Sequence, residues 1–125
     1  MDNCKGEPST SLMGYGRKIF ERDDYTCVYC GRKFKNDFWD WMLLTVEHVI
    51  PQNQKNEENK GNINSEKNLR TACRVCNNLH NKIKLNQFVY LPFEERVDKI
   101  LEYKRKMIKE RREVFEKFYN ECIKK

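Results

Sequence analysis

Long apolar runs are missing from this sequence. The longest uncharged hydrophobic stretch, residues 41–46, is far shorter than the roughly 18 residues that a membrane-crossing helix needs. The N-terminus carries Asp2, Lys5 and Glu7 where a signal peptide would have its apolar core. No internal repeat or low-complexity tract is present either. These absences predict a soluble cytoplasmic protein with no membrane partner.

Hydrophobic residues are also few. They make up 38% of the 125 residues, against 35% charged residues, so the core is small for the chain length. A chain of this length fits one compact domain with one appended element. A core this small would gain from a stabilising metal ion.

Six cysteines supply candidates for that metal site. Disulfides are disfavoured in a reducing cytosol, whereas C-x-x-C pairs there are typical of metal ligands. Two such pairs occur, Cys27 with Cys30 and Cys73 with Cys76, and together they can present four thiolates to one tetrahedral Zn2+. The alternative is four unrelated buried cysteines. Cys4 and Cys122 lie outside the pattern, and we expect neither to be a ligand.

The 42 residues between the two pairs exceed the usual span of a small zinc ribbon, so further structure is inserted there. The pattern predicts a strand over 43–49, a polar loop over 52–65 and a returning hairpin segment over 64–72. A short helix is expected over 12–22, and another begins at Cys73.

Three further motifs accompany the cysteines. Glu47 and His48 stand at the end of the predicted strand with Pro51 nearby, Asn68 precedes a leucine, and Asn77 follows the last cysteine. With these motifs in this order, residues 17–84 resemble the HNH endonuclease family. The resemblance implies a ββα-metal fold in which two strands and the following helix hold one divalent cation.

The resemblance also implies roles for individual residues. Glu47 and Asn77 would bind the catalytic cation, Mg2+ or Mn2+, while His48 would be the general base and Asn68 would brace the hairpin that holds it. The family more often has aspartate at the position of Glu47. His80, on the same predicted helical face as Asn77, is a candidate additional ligand, with a plain surface histidine as the alternative.

Elementary chemistry agrees with these roles. Hydrolysis of a phosphodiester needs a water molecule that loses its proton, and a histidine can accept that proton near neutral pH. Hard cations prefer oxygen ligands such as those of Glu47 and Asn77. Because neighbouring strand residues face opposite ways, we expect the strand to end or bulge at Glu47 and His48.

The excess of basic over acidic residues lies mainly in the last third of the chain. Residues 82–125 hold 13 basic and 8 acidic residues, whereas the first 81 hold 12 and 11. An amphipathic helix is predicted from Pro92 to Ile123, with a seven-residue apolar stripe that needs a buried partner. Its surplus charge predicts contacts with nucleic acid, with a solvated salt-bridged surface as the alternative. The candidate phosphate-contacting residues are Lys82, Lys104, Arg105, Lys109 and Arg112.

Together these observations predict an α+β protein: a flexible segment over 1–11, a zinc-stabilised ββα-metal core over 12–85, and a long C-terminal amphipathic helix within 86–125. We expect an endonuclease acting on DNA in preference to RNA. A role as the effector of a defence or mobile-element assembly is compatible with this activity. A non-catalytic zinc module that binds nucleic acid is the alternative. The C-terminal helix could pack on the core, form a homodimer or dock onto a larger partner.

Overall fold

A computed structural model describes residues 15–56, 59, 61–80 and 82–124, with the side chain of Tyr15 left out. The N-terminal segment and the first residues of the predicted helix 12–22 therefore lie outside the described residues. The helices are α1 (Tyr15–Arg22), α2 (Phe38–Trp41), α3 (Arg74–Leu79) and α4 (Phe93–Phe118), and the strands are β1 (Leu44–His48) and β2 (Leu69–Cys73). Short 3-10 turns occupy Gln52–Gln54, Glu66–Asn68 and Asn86–Phe88, and a π-helical turn over Tyr119–Ile123 extends α4. No described helix has both the length and the apolar character needed to cross a membrane.

Strands β1 and β2 form a two-stranded antiparallel sheet. The register pairs Leu44 with Cys73 at one end and His48 with Leu69 at the other, without a bulge between them. The predicted strand 43–49 is thus confirmed to within one residue at each end. We expected the strand either to end or to bulge at Glu47 and His48, and it ends at His48.

The two faces of this sheet are covered by different helices. Side chains alternate along a strand, so Thr45 and Glu47 share one face of β1 while His48 lies on the other. Helix α3 lies against the first face, where the Asn77 amide donates to Thr45 Oγ1 over 3.1 Å. Helix α1 lies against the second, where Thr71 Oγ1 donates to the Ile19 carbonyl over 3.3 Å. The arrangement is the mixed α and β core that the sequence predicts.

The first cysteine pair lies in a tight hairpin closed by a bridge between Thr26 and Lys33. Gly31 has a φ of +74°, a conformation that side-chain-bearing residues rarely adopt, which is why glycine follows Cys30. The segment after the hairpin forms the short helix α2. It includes Trp39, which is 77% exposed, and Trp41. Its start is capped by Asp37, whose carboxylate accepts from the Asp40 N–H, so local capping favours a helical turn here.

Helix α4 packs back on the core along its first half. Val97, Ile100, Leu101 and Ile108 are buried there, because the apolar stripe faces the helices and strands of the core. The second half extends past the core, so the stripe loses its partner. Phe115 is 64% exposed in this single chain, so burial of this part of the stripe depends on another chain.

Candidate functional site: a cysteine cluster beside a strand end

The sulfur atoms of four cysteines from two separate parts of the chain lie close together. Cys27 and Cys30 come from the first hairpin, and Cys73 and Cys76 from the junction of β2 with α3. All four Sγ atoms lie within 4.8 Å of one another. Four thiolates around a tetrahedral zinc ion, with Zn–S bonds of about 2.3 Å, require sulfurs roughly 3.8 Å apart. The residues therefore fit a zinc site, as their spacing in the sequence predicts.

The pKa values of these thiols are shifted in opposite directions. Hydrogen bonds from Cys30, Cys73 and Cys76 lower the pKa of Cys27, whereas contacts with Cys27 and Cys30 raise the pKa of Cys76. A metal ion would replace these shared protons, because thiolates are the ligand form. The Arg112 guanidinium lies 3.9 Å from Cys76 Sγ and would offset part of the negative charge of a four-thiolate site.

Glu47 is buried in a cluster of polar side chains, with only 5% of its surface exposed. Its Oε2 atom accepts from the Tyr29 hydroxyl over 2.5 Å and from Lys104 Nζ over 3.3 Å. Burial, reinforced by the nearby carboxylate, raises the pKa of Tyr29, so this hydroxyl keeps its proton and donates it. The carboxylate thereby joins the first cysteine hairpin, strand β1 and helix α4.

His80 and Asn77 lie on the same face of the sheet as Glu47. His80 Nε2 is 3.6 Å from Glu47 Oε1, and Asn77 reaches Thr45 two residues before Glu47 on β1. Burial lowers the pKa of His80, an effect that Glu47 opposes, so the imidazole is neutral at pH 7 and its nitrogen can bind a cation. A carboxylate oxygen, an amide oxygen and an imidazole nitrogen are a donor set that suits a divalent ion such as Mn2+.

His48 faces the other way, into a cleft of about 340 Å³ that also includes Lys18 and Glu66 in its lining. Its Nε2 atom is 2.8 Å from Asn64 Oδ1 and 3.2 Å from Gln52 Nε2. Because Asn64 Oδ1 is an acceptor, the shorter contact favours the tautomer with a proton on Nε2 and a free Nδ1. His48 and Glu47 share no hydrogen-bond partner among the described residues, so the structure brings Glu47 together with His80 and not with His48.

Asn68 holds the loop that follows His48. It is fully buried, its Oδ1 accepts from the Ile50 N–H over 2.8 Å, and its Nδ2 donates to the carbonyls of Ile50 and Ile63 over 3.1 and 2.8 Å. Its backbone carbonyl accepts from the Val49 N–H. Asn68 thus contacts both residues after His48, Val49 through its backbone carbonyl and Ile50 through its side chain.

The candidate phosphate-contacting residues separate into two groups. Lys82 and Lys109 are exposed, and Arg105 is exposed although its Nε donates to the Val28 carbonyl. Lys104 is 1% exposed and donates to Glu47 and to the Val49 carbonyl, so it cannot meet a phosphate at the surface. The expectation is wrong for Lys104, because its helix packs against the core at that position. Arg112 is half-buried beside Cys76.

Comparison with known protein families identifies this arrangement. A sequence model of the HNH endonuclease family matches residues 27–82, which includes both cysteine pairs and both strands. Residues 27–82 match the HNH endonuclease family, and we call this segment the HNH domain. The family indicates a nuclease or another function that involves nucleic acid. No curated protein and no solved structure gives a significant match.

Several neighbours of the HNH motif residues were not singled out from the sequence. Tyr29 gave no signal beyond its place inside a cysteine pair, and Asn64 and Gln52 lie in a polar loop rich in similar residues. Lys104 was assigned to the wrong partner because its register against Glu47 depends on how α4 packs on the HNH domain.

Proposed function

We propose that the HNH domain is an endonuclease that hydrolyses phosphodiester bonds of nucleic acid, with DNA as the expected substrate. The observation that carries this proposal is the position of His48 at the end of β1, open to a cleft and held by Asn64 inside a domain of the nuclease family. The buried Asn68 network keeps the residues after His48 in place, so the imidazole is oriented before a substrate arrives.

His48 would serve as the general base. With Nε2 bonded to Asn64, its Nδ1 atom is left to accept a proton from the attacking water. Lys18 lines the same cleft, and its ammonium group would attract a phosphate to it. Since β1 ends at His48, a phosphate at the end of the strand could be approached from both faces of the sheet.

Glu47, Asn77 and His80 would hold the divalent cation, with Mn2+ or Mg2+ as the candidates. When bound, this ion would neutralise negative charge on the scissile phosphate and the leaving oxygen. Glu47 would supply the negatively charged ligand, and neutral ligands would come from Asn77 on α3 and from His80, which caps its C-terminal end. The four cysteines would hold a structural Zn2+ that fixes β2 and α3 against the first hairpin.

Nucleic acid would be attracted by the net charge of +6 and held by exposed basic residues, with Lys82, Arg105 and Lys109 as the candidates.

The proposal is tested by incubating purified zinc-loaded protein with plasmid DNA, single-stranded DNA and RNA in Mg2+ or Mn2+. We expect nicking or linearisation that stops when EDTA removes the divalent ion. Binding without cleavage of any substrate would contradict the proposal.

A non-catalytic zinc module that binds nucleic acid is the second candidate. One observation favours it: Oε2 of Glu47 already accepts from Tyr29 and Lys104, so the acid is satisfied without a metal ion. The module would bind the same nucleic acids with a salt-dependent affinity and would be indifferent to Mn2+. The cleavage assay separates the two candidates directly.

A further inference from the structure

Helix α4 places a buried lysine, Lys104, beside the Glu47 carboxylate of the HNH domain. Lys104 is the cation nearest to the Glu47 carboxylate that the structure records, with Nζ 3.3 Å from Oε2. It also donates to the Val49 carbonyl over 3.0 Å, one residue after His48. Both groups are almost fully buried, so water screens their attraction poorly.

The charge balance around Glu47 follows from these contacts. The carboxylate carries one negative charge, and the ammonium group of Lys104 neutralises it, while the Tyr29 hydroxyl is a neutral donor. A divalent cation that approached Glu47 would therefore meet a site with no net charge and with an ammonium group beside the ligand oxygen. Like charges a few ångströms apart in a poorly screened site repel strongly.

We propose that Lys104 is a resident cation of the Glu47 site and that a divalent ion binds Glu47 only in competition with it. The inference rests on the proposed function, since it assigns Glu47 as a ligand. Lys104 is thus a positioning residue that sets metal affinity, and metal binding is coupled to the packing of α4. Whatever loosens α4 from the HNH domain would raise the affinity for the ion.

The first test measures Mn2+ binding to the zinc-loaded protein by electron paramagnetic resonance of the free ion. Lys104→Met should lower the dissociation constant of Mn2+ at least about tenfold, because a neighbouring positive charge is removed. Lys106→Met is the matched control, since Lys106 is exposed on the same helix and changes the net charge equally. Adding Glu47→Gln to Lys104→Met should abolish the gain. Equal affinity in Lys104→Met and Lys106→Met would overturn the proposal.

The second test uses the unaltered protein, because Lys104→Met leaves a buried carboxylate unpaired and could fail to fold. The Lys104 amine should react slowly with an acylating reagent, and saturating Mn2+ should raise its labelling several-fold relative to Lys106, as read by mass spectrometry. A Lys104 that stays protected at every Mn2+ concentration would overturn the proposed competition.

Neither test uses cleavage, so the inference and the nuclease proposal can fail separately. Tighter Mn2+ binding in a protein that never cuts would support the inference and reject the nuclease, whereas cutting with unaltered metal affinity would do the reverse.

Discussion

Asn68 offers a quantitative test of how the loop after His48 is held. In Asn68→Ala, three buried hydrogen bonds disappear together, and the partners left behind are the N–H and carbonyl of Ile50 and the carbonyl of Ile63. Because Asn68 is fully buried, water cannot replace the amide without opening the loop. The change is therefore a loss of partners for backbone groups more than a loss of volume.

The magnitude follows from those three contacts. Each buried polar group that loses its partner costs about 1–3 kcal/mol, and partial relaxation of the loop reduces the sum. We therefore expect the free energy of unfolding to fall by about 3–6 kcal/mol. For a domain of this size, each kcal/mol corresponds to roughly 3–6 °C in melting temperature, so Tm should fall by at least about 10 °C.

Urea titration of the zinc-loaded protein measures this quantity, with thermal melting as a second readout. Asn53→Ala is the matched control, because Asn53 is exposed in a 3-10 turn of the same loop region and should change stability by less than about 0.5 kcal/mol. The bracing role would be refuted if Asn68→Ala cost less than 1 kcal/mol or no more than Asn53→Ala.

Two further predictions concern the cysteine cluster and helix α4. Removing zinc with a strong chelator, or replacing Cys27 by serine, should unfold the core, because a structural zinc site contributes roughly 10–16 kcal/mol of apparent binding energy to folding; a cooperative melt in protein that elemental analysis shows to be free of zinc would refute this. Ile108→Asp should lower the free energy of unfolding by at least about 3 kcal/mol because Ile108 is fully buried, whereas Phe115→Asp should leave the stability of the isolated chain nearly unchanged. An equal loss in both variants would show that Phe115 has a partner, and light scattering would then show whether that partner is a second copy.

The features that sequence could predict are those set by local chemistry. Two C-x-x-C pairs bring four thiolates together only if the chain returns to the first hairpin, and Gly31 takes the conformation that the turn requires. The strand was located by its β-branched and apolar residues, because a buried pleated strand favours them. Asn68 was identified through the family resemblance, and its bracing role stays a prediction that its buried hydrogen bonds support.

The features that sequence could not predict depend on long-range packing. The contact between Lys104 and Glu47 joins residues 57 positions apart, and its register is set by how the apolar stripe of α4 settles on the core. The stripe itself continues to Phe115 without any change in pattern where the core ends, so sequence periodicity could not show where burial stops.

The catalytic assignment is tested most directly by comparing His48→Ala with Asn77→Ala in plasmid cleavage over a range of Mn2+ concentrations. Loss of a general base should slow cleavage by about 10²–10⁴-fold at every Mn2+ concentration, because metal cannot replace the lost proton acceptor. Loss of the Asn77 ligand should be partly recovered at high Mn2+. Zinc content and nucleic-acid affinity should match the parent in His48→Ala, since His48 lies apart from the cysteine cluster. Cleavage by His48→Ala at the parent rate under matched metal would contradict the account.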